Sequence, residues 1–176
     1  MIKLSTLLLI ICFSSLANAS TKTIDVSIPA MRRSESVDRF FDSILHVYVD
    51  DDGDYYITGQ GAAKSVSTCL KRETLEPLVA ALKKSIDWSA KSRSAGLNAS
   101  KKLIDLPTAH FTFFSANNGK QTDVILEYKD MNNKFIKLQV YLNPVSVQLL
   151  IVSLGKVDET LEMLKKEDES GVNILK

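Results

Sequence analysis

The chain has 176 residues, 45% of them hydrophobic and 24% charged, with 22 Lys and Arg facing 21 Asp and Glu. That length holds one domain, able to bury about 70% of its unfolded surface without disulfide or metal staples. The near-neutral balance argues against a nucleic-acid partner and against electrostatic attachment to anionic lipid.

Met1–Ala19 reads as a secretory signal peptide. Lys3 gives the positive start, Leu7 to Leu16 a short apolar stretch, and Ala17-Asn18-Ala19 a small-x-small cleavage site. The apolar run falls short of the roughly 20 residues that a bilayer span requires, and the bulky Ile10 and Ile11 before Cys12 do not fit a lipidation site. The expected product is a single domain over residues 20–166 with a solvated, flexible tail over 167–176, exported to the periplasm or medium and without a transmembrane segment. Its one remaining cysteine, Cys69, has no intramolecular disulfide partner and reads as a small buried hydrophobe.

Thr23 to Pro29 sets Ile24, Val26 and Ile28 against Asp25 and Ser27, a half-buried strand closed by Pro29. Met31 to Asp38 is polar and reads as a loop or short helical turn. Phe41 to Val49 alternates again, with Phe41, Leu45, Val47 and Val49 on the core face and His46 and Tyr48 on the other. Asp50-Asp51-Asp52-Gly53-Asp54 turns the chain into Tyr55 to Thr58, a hairpin. A helix-loop-helix calcium site does not fit this acidic turn: with Gly53 at the sixth position, Tyr48 and Gly59 fall where the first and last carboxylates belong.

Gln60 to Ser67 lacks the ending of a phosphate loop and reads as a connection or an irregular edge strand through Lys64-Ser65-Val66. Ser67 or Thr68 is expected to cap a helix whose stripe is Leu75, Leu78, Val79, Leu82 and Ile86, with Pro77 in its first turn and Trp88 as a large core residue near its end. Over Ser89 to Lys102 the composition predicts helix to about Ser94, a break at Gly96, and a turn leading to Leu106-Pro107.

The clearest pattern lies between Ala109 and Leu164. His110 to Phe114 is aromatic and β-branched; Asn117-Asn118-Gly119 is a hairpin signal; Gln121 to Lys129 places Val124, Leu126 and Tyr128 on one face. From Phe135 to Leu142, Ile136, Leu138, Val140 and Leu142 point one way and Lys137, Gln139 and Tyr141 the other. Asn143-Pro144 then opens a helix of about five turns carrying Val147, Leu150, Ile151, Leu154, Val157, Leu161 and Leu164, with Gly155 marking close packing or a bend. The fold class is α+β: an antiparallel sheet in a β-β-β-α-β-β-β-α order, with two main helices packed largely on one face.

No catalytic constellation is legible. Nucleophilic catalysis needs a nucleophile beside an oriented base, and His46 and His110 are the only histidines, with no Gly-x-Ser-x-Gly elbow and no signature around Cys69. Two His and one Cys without paired spacing do not make a zinc site, and no cofactor is implied. What stands out is aromatic. Phe114, Phe135, Tyr141 and Tyr48, with His46, fall on the polar-looking face of the strands, where large rings are not needed for packing. Either the Ser89–Lys102 segment covers them, or they form a docking surface. The expectation is an exported, non-catalytic binding or protein-interaction module whose partner is another exported protein or a small apolar ligand. The alternatives are a small hydrolase or transferase built from His46, His110 and Asp50, and a carrier with the rings lining a closed cavity.

Overall fold

Seven of the eight strands among the described residues alternate inward apolar residues with outward polar ones, and that period-two pattern decides the architecture. The computed structural model describes residues 20–34, 38–61 and 64–174, with side chains as far as Glu167; the signal-peptide reading therefore lies outside the described residues. The strands are β1 (Thr21–Ser34), β2 (Arg39–Asp50), β3 (Tyr55–Gln60), β4 (Ser65–Leu70), β5 (Ala99–Asp105), β6 (Ala109–Ala116), β7 (Gln121–Lys129) and β8 (Lys137–Leu142). Helix α1 (Leu75–Ala95) joins the two strand quartets, and α2 (Pro144–Gly155) and α3 (Val157–Ile174) come after β8. All pairings are antiparallel, in the order β4-β3-β2-β1-β8-β7-β6-β5.

The expected α+β class and antiparallel sheet are present, with the helices in their predicted places after each run of strands. The inward residues of seven strands form one core with Leu75, Leu78 and Leu82 of α1 and Val147, Leu150, Leu154 and Val157 of the last two helices. α1 rests on β5, β6 and β7, α2 on α1 and on β1, β7 and β8, and α3 on β1 and β2. No helix among the described residues is long and apolar enough to cross a membrane.

Several local expectations are corrected. β1 does not close at Pro29 but runs on through Met31 to Ser34, because β2 supplies a paired partner as far as Arg39. Ser67 and Thr68 belong to β4 and cap nothing; a short 3₁₀ turn at Arg72–Thr74 precedes α1, with Pro77 in the first helical turn. The expected break at Gly96 is a left-handed C-cap with φ 61°. Beyond it, however, the chain enters edge strand β5 rather than a turn. Its Ser100, Lys101 and Lys102 carry no apolar alternation because an edge strand is wet along much of its length, and lysines there discourage further pairing.

Phe135 and Ile136 precede β8 in a turn instead of opening it. The final helix is two: after Gly155 the chain breaks at Lys156, whose N–H donates to the Ser153 carbonyl, and Thr160 N–H in turn donates to the Lys156 carbonyl. The N-cap reading holds, with Asn143 Oδ1 accepting from Ser146 N at 2.9 Å. The backbone stays helical to Ile174, past the point where a tail was expected.

The sheet curls on itself. Met131 N–H donates to the Ser67 carbonyl at 2.8 Å, Tyr128 Oη to the Val66 carbonyl at 3.2 Å, and Thr68 Oγ1 to Thr108 Oγ1 at 2.8 Å. Edge strand β4 is thereby brought against the ends of β6 and β7, far from it in the strand order.

Candidate functional site

The two quartets, β1–β4 and β5–β8, are stitched side by side at a short seam. β1 and β8 pair only through Met31 with Tyr141 and Arg32 with Val140. The sequence reason lies partly at Pro29, which has no N–H to give a ladder; the pairing begins two residues beyond it. On each side of these two pairs the strands diverge, and each divergence opens a recess.

The first recess is a notch of about 630 Å³. Phe40, Ile44, Met31 and Pro29 come from the β1–β2 ribbon, Tyr141 from β8, and the rim carries Asp42, Asp123 and Gln121. Register explains the grouping: Pro29 lies opposite Ile44, Met31 opposite both Asp42 and Tyr141, and Arg33 opposite Phe40, so all share the outer face. Phe40 and Tyr141 meet edge to face with ring centroids 5.0 Å apart. Tyr141 is half-buried while Phe40 is 52% exposed, Ile44 46% and Met31 38%. Tyr141 Oη donates to Gln139 Oε1 at 3.2 Å, which fixes the ring's tilt. Asp123 Oδ2 accepts from Gln121 Nε2 at 3.0 Å.

The second recess, about 950 Å³, lies where the last residues of β1 part from the first of β8. Arg32, Arg33, Lys64, Lys129 and Lys137 line it, against the single carboxylate, among the described residues, of Glu127. Arg33 is held by Asp38 at 2.7 Å, a hydrogen-bonded pair that raises the guanidinium pKa further. Arg32 lies over the Phe41 ring at 4.6 Å. Phe41 is 39% exposed and not in the core, contrary to the expectation from the strand's alternation.

The five ring residues singled out in the sequence do not gather in one place. Tyr141 lines the notch, and Phe135, 97% exposed, stands at the rim of the second recess. His46 and Tyr48 form their own ring pair on the outer face of β2, centroids 6.5 Å apart. Phe114 is half-buried on the outer face of β6, opposite Ser100 and Asp123. β5 lies beyond β6, so the Ser89–Lys102 segment covers neither Tyr141 nor Phe135. His46 and His110 sit four strand positions apart, roughly 19 Å along the sheet at about 4.8 Å per step. His110 Nδ1 instead faces Asp105 Oδ1 at 3.0 Å.

The acidic turn is spent on the protein itself. Asp50, 4% exposed, accepts from Tyr56 Oη at 2.7 Å, and Asp54 pairs with Lys71 and with the Arg72 N–H. Burial, then the Asp50 carboxylate, pushes the Tyr56 phenol up, and burial raises the half-buried Cys69 thiol beside it. A raised thiol is a poor nucleophile at neutral pH. Trp88 is half-buried, edge-on to Phe113 at 5.6 Å, with Lys84 and Lys101 over its ring.

Sequence reasoning missed Phe40, Met31 and Ile44 on one side of the seam and the five cations on the other. A signal for the first existed: in a strand, adjacent Phe40 and Phe41 must point to opposite faces.

No protein-family model matches the chain, and no curated protein does. Among solved structures, one described with mutations in SsgB that correlate to longitudinal cell division during sporulation of Streptomyces coelicolor is similar at 7% identity, over 80% of this chain and 88% of that one, with a TM-score of 0.43. A likeness of that size assigns no function to this chain.

Proposed function

We propose that the protein is an exported, non-catalytic binding module that holds an apolar segment of another exported protein in the notch beside the seam. One observation carries this reading: Phe40, Ile44, Met31 and Tyr141 form an apolar recess open to solvent on the outer face of the sheet. Rings held by neighbours bring large contact area at low entropy cost, which is the character of a binding hot spot. Asp42 and Asp123 on the rim favour a bound side chain flanked by Lys or Arg, an arrangement that raises association rate and fixes register.

Selection of the mature chain against a random peptide library tests it. The enriched peptides should carry an aromatic or aliphatic residue next to a basic one, and Tyr141→Ala should weaken a selected peptide by about tenfold or more, a loss of roughly 1.4 kcal/mol. Equal enrichment by wild type and a folded Phe40→Ala/Tyr141→Ala variant would remove the basis for this function.

A further inference from the structure

We infer that the second recess is a separate binding site, for a ligand that carries clustered phosphate groups. It stands on different residues from the notch and does not depend on that reading.

Five cations line one cleft from four separate stretches of chain: Arg32 and Arg33, on opposite faces of the end of β1, Lys64 before β4, Lys129 at the end of β7 and Lys137 at the start of β8. Among the described residues, the one carboxylate in the lining, Glu127, accepts a hydrogen bond from Gln139 Nε2. Nothing in the packing requires this arrangement. Lys64, Lys129 and Lys137 are exposed, and none has a salt-bridge partner among the described residues. Like charges gathered in a concave site raise the local concentration of anions.

The directions of approach select the chemistry. Asp38 already occupies the Arg33 fork, which leaves Arg32, stacked on the Phe41 ring, as the one guanidinium in the lining without a carboxylate partner among the described residues. What remains besides it is three lysine point charges, Lys129 and Lys137 side by side across the β7–β8 pair and Lys64 from the segment before β4, which suit a tetrahedral group accepting from several sides, and more than one such group at this spread. The volume of about 950 Å³ suits a small phosphorylated molecule rather than a single ion. Val66 and Leu138 on the floor and the bare Phe135 ring at the rim add an apolar side. Such chemistry comes from a free phosphorylated compound or from a phospholipid headgroup.

The experiment gives the full mature chain two probes at low ionic strength. One is inorganic tripolyphosphate, followed by calorimetry. The other is vesicles of phosphatidylglycerol and phosphatidylcholine, with phosphatidylcholine alone as control, followed by co-sedimentation. At least one probe is expected to bind, and Lys64→Gln/Lys129→Gln/Lys137→Gln should weaken it tenfold or more with an unchanged thermal melt. Binding of tripolyphosphate without vesicles identifies a soluble ligand. Binding of anionic vesicles alone, reduced by Phe135→Ala, identifies a headgroup. The Phe40→Ala/Tyr141→Ala variant should bind like wild type, which separates this site from the notch. Failure of both probes, an unaffected triple variant, or tighter binding of a mixed-sequence oligonucleotide than of either probe would overturn the assignment.

Discussion

A methyl group on Gly119 would sit 2.0 Å from the Ser92 carbonyl oxygen, and the residue's φ of +77° is one that side chains rarely adopt. Asn117 and Asn118 also have positive φ, so the β6–β7 turn is a left-handed run pressed against the end of α1. The surrounding bonds fix that contact: Leu97 N–H to the Ser92 carbonyl at 2.9 Å, Ser115 Oγ to the Leu97 carbonyl at 2.7 Å, and Asn118 N–H to Asn98 Oδ1 at 2.7 Å. Gly119→Ala should therefore cost more than about 2 kcal/mol, clash and backbone strain together, measured by urea denaturation. A loss under about 0.5 kcal/mol would mean that the turn does not touch the helix. The hairpin was legible from Asn-Gly alone. Its docking was not, because Ser92 lies far back in the chain and no local pattern links the two.

At the scale of elements, α1 shows why a stripe of leucines is only half of a packing surface. Leu75, Leu78 and Leu82 are buried, and then Ser85, Ser89 and Ser92 continue the same face inward. Ser85 Oγ donates to the Leu82 carbonyl at 2.7 Å and Ser89 Oγ to the Ser85 carbonyl at 3.0 Å, so these hydroxyls are satisfied within the helix and the ridge stays narrow. Small side chains let the helix approach its neighbours closely. Ser89→Leu should overpack this contact and cost about 1–3 kcal/mol in thermal or urea unfolding, whereas Ser89→Ala should change little. Equal stability of the Leu and Ala variants would show that the helix stands off from the sheet. The polar composition of this second half is also why β5 was misread: once the apolar stripe ended, the sequence offered nothing to mark a strand at the wet edge.

For the whole molecule, burial acts on several phenols and the thiol in one direction. Burial pushes the Tyr55 phenol from 10.0 up to about 12 and raises Tyr128, Tyr56 and the Cys69 thiol as well. Between about pH 10 and pH 12 the unfolded chain gives up the Tyr55 proton while the folded chain keeps it, so the unfolded state binds fewer protons and stability falls as pH rises. Tyr55 alone accounts for roughly 3 kcal/mol lost by about pH 12, fully retained below about pH 10. Urea midpoints should fall steeply from about pH 10 to about pH 12, and less so in Tyr55→Phe. Midpoints that hold constant over that interval would contradict the buried phenols. Charge behaves differently at this scale. The chain is near neutral as a whole, yet five of its 22 cations line one recess and two carboxylates, Asp42 and Asp123, line the other. A sum over the sequence carries no information about that separation.

By itself the sequence determined the α+β class, the inward faces of most strands and the capped start of α2, because each is written in a period of two or 3.6 residues or in one turn or cap. Only the tertiary structure brought the two sides of the seam together. Met31 and Arg32 meet Tyr141 and Val140 from opposite ends of the described chain, and Pro29 read as a strand end until its partner strand was in view. Both recesses open where β1 and β8 part beside that seam, so their residues come from segments that read separately as loop, strand and turn.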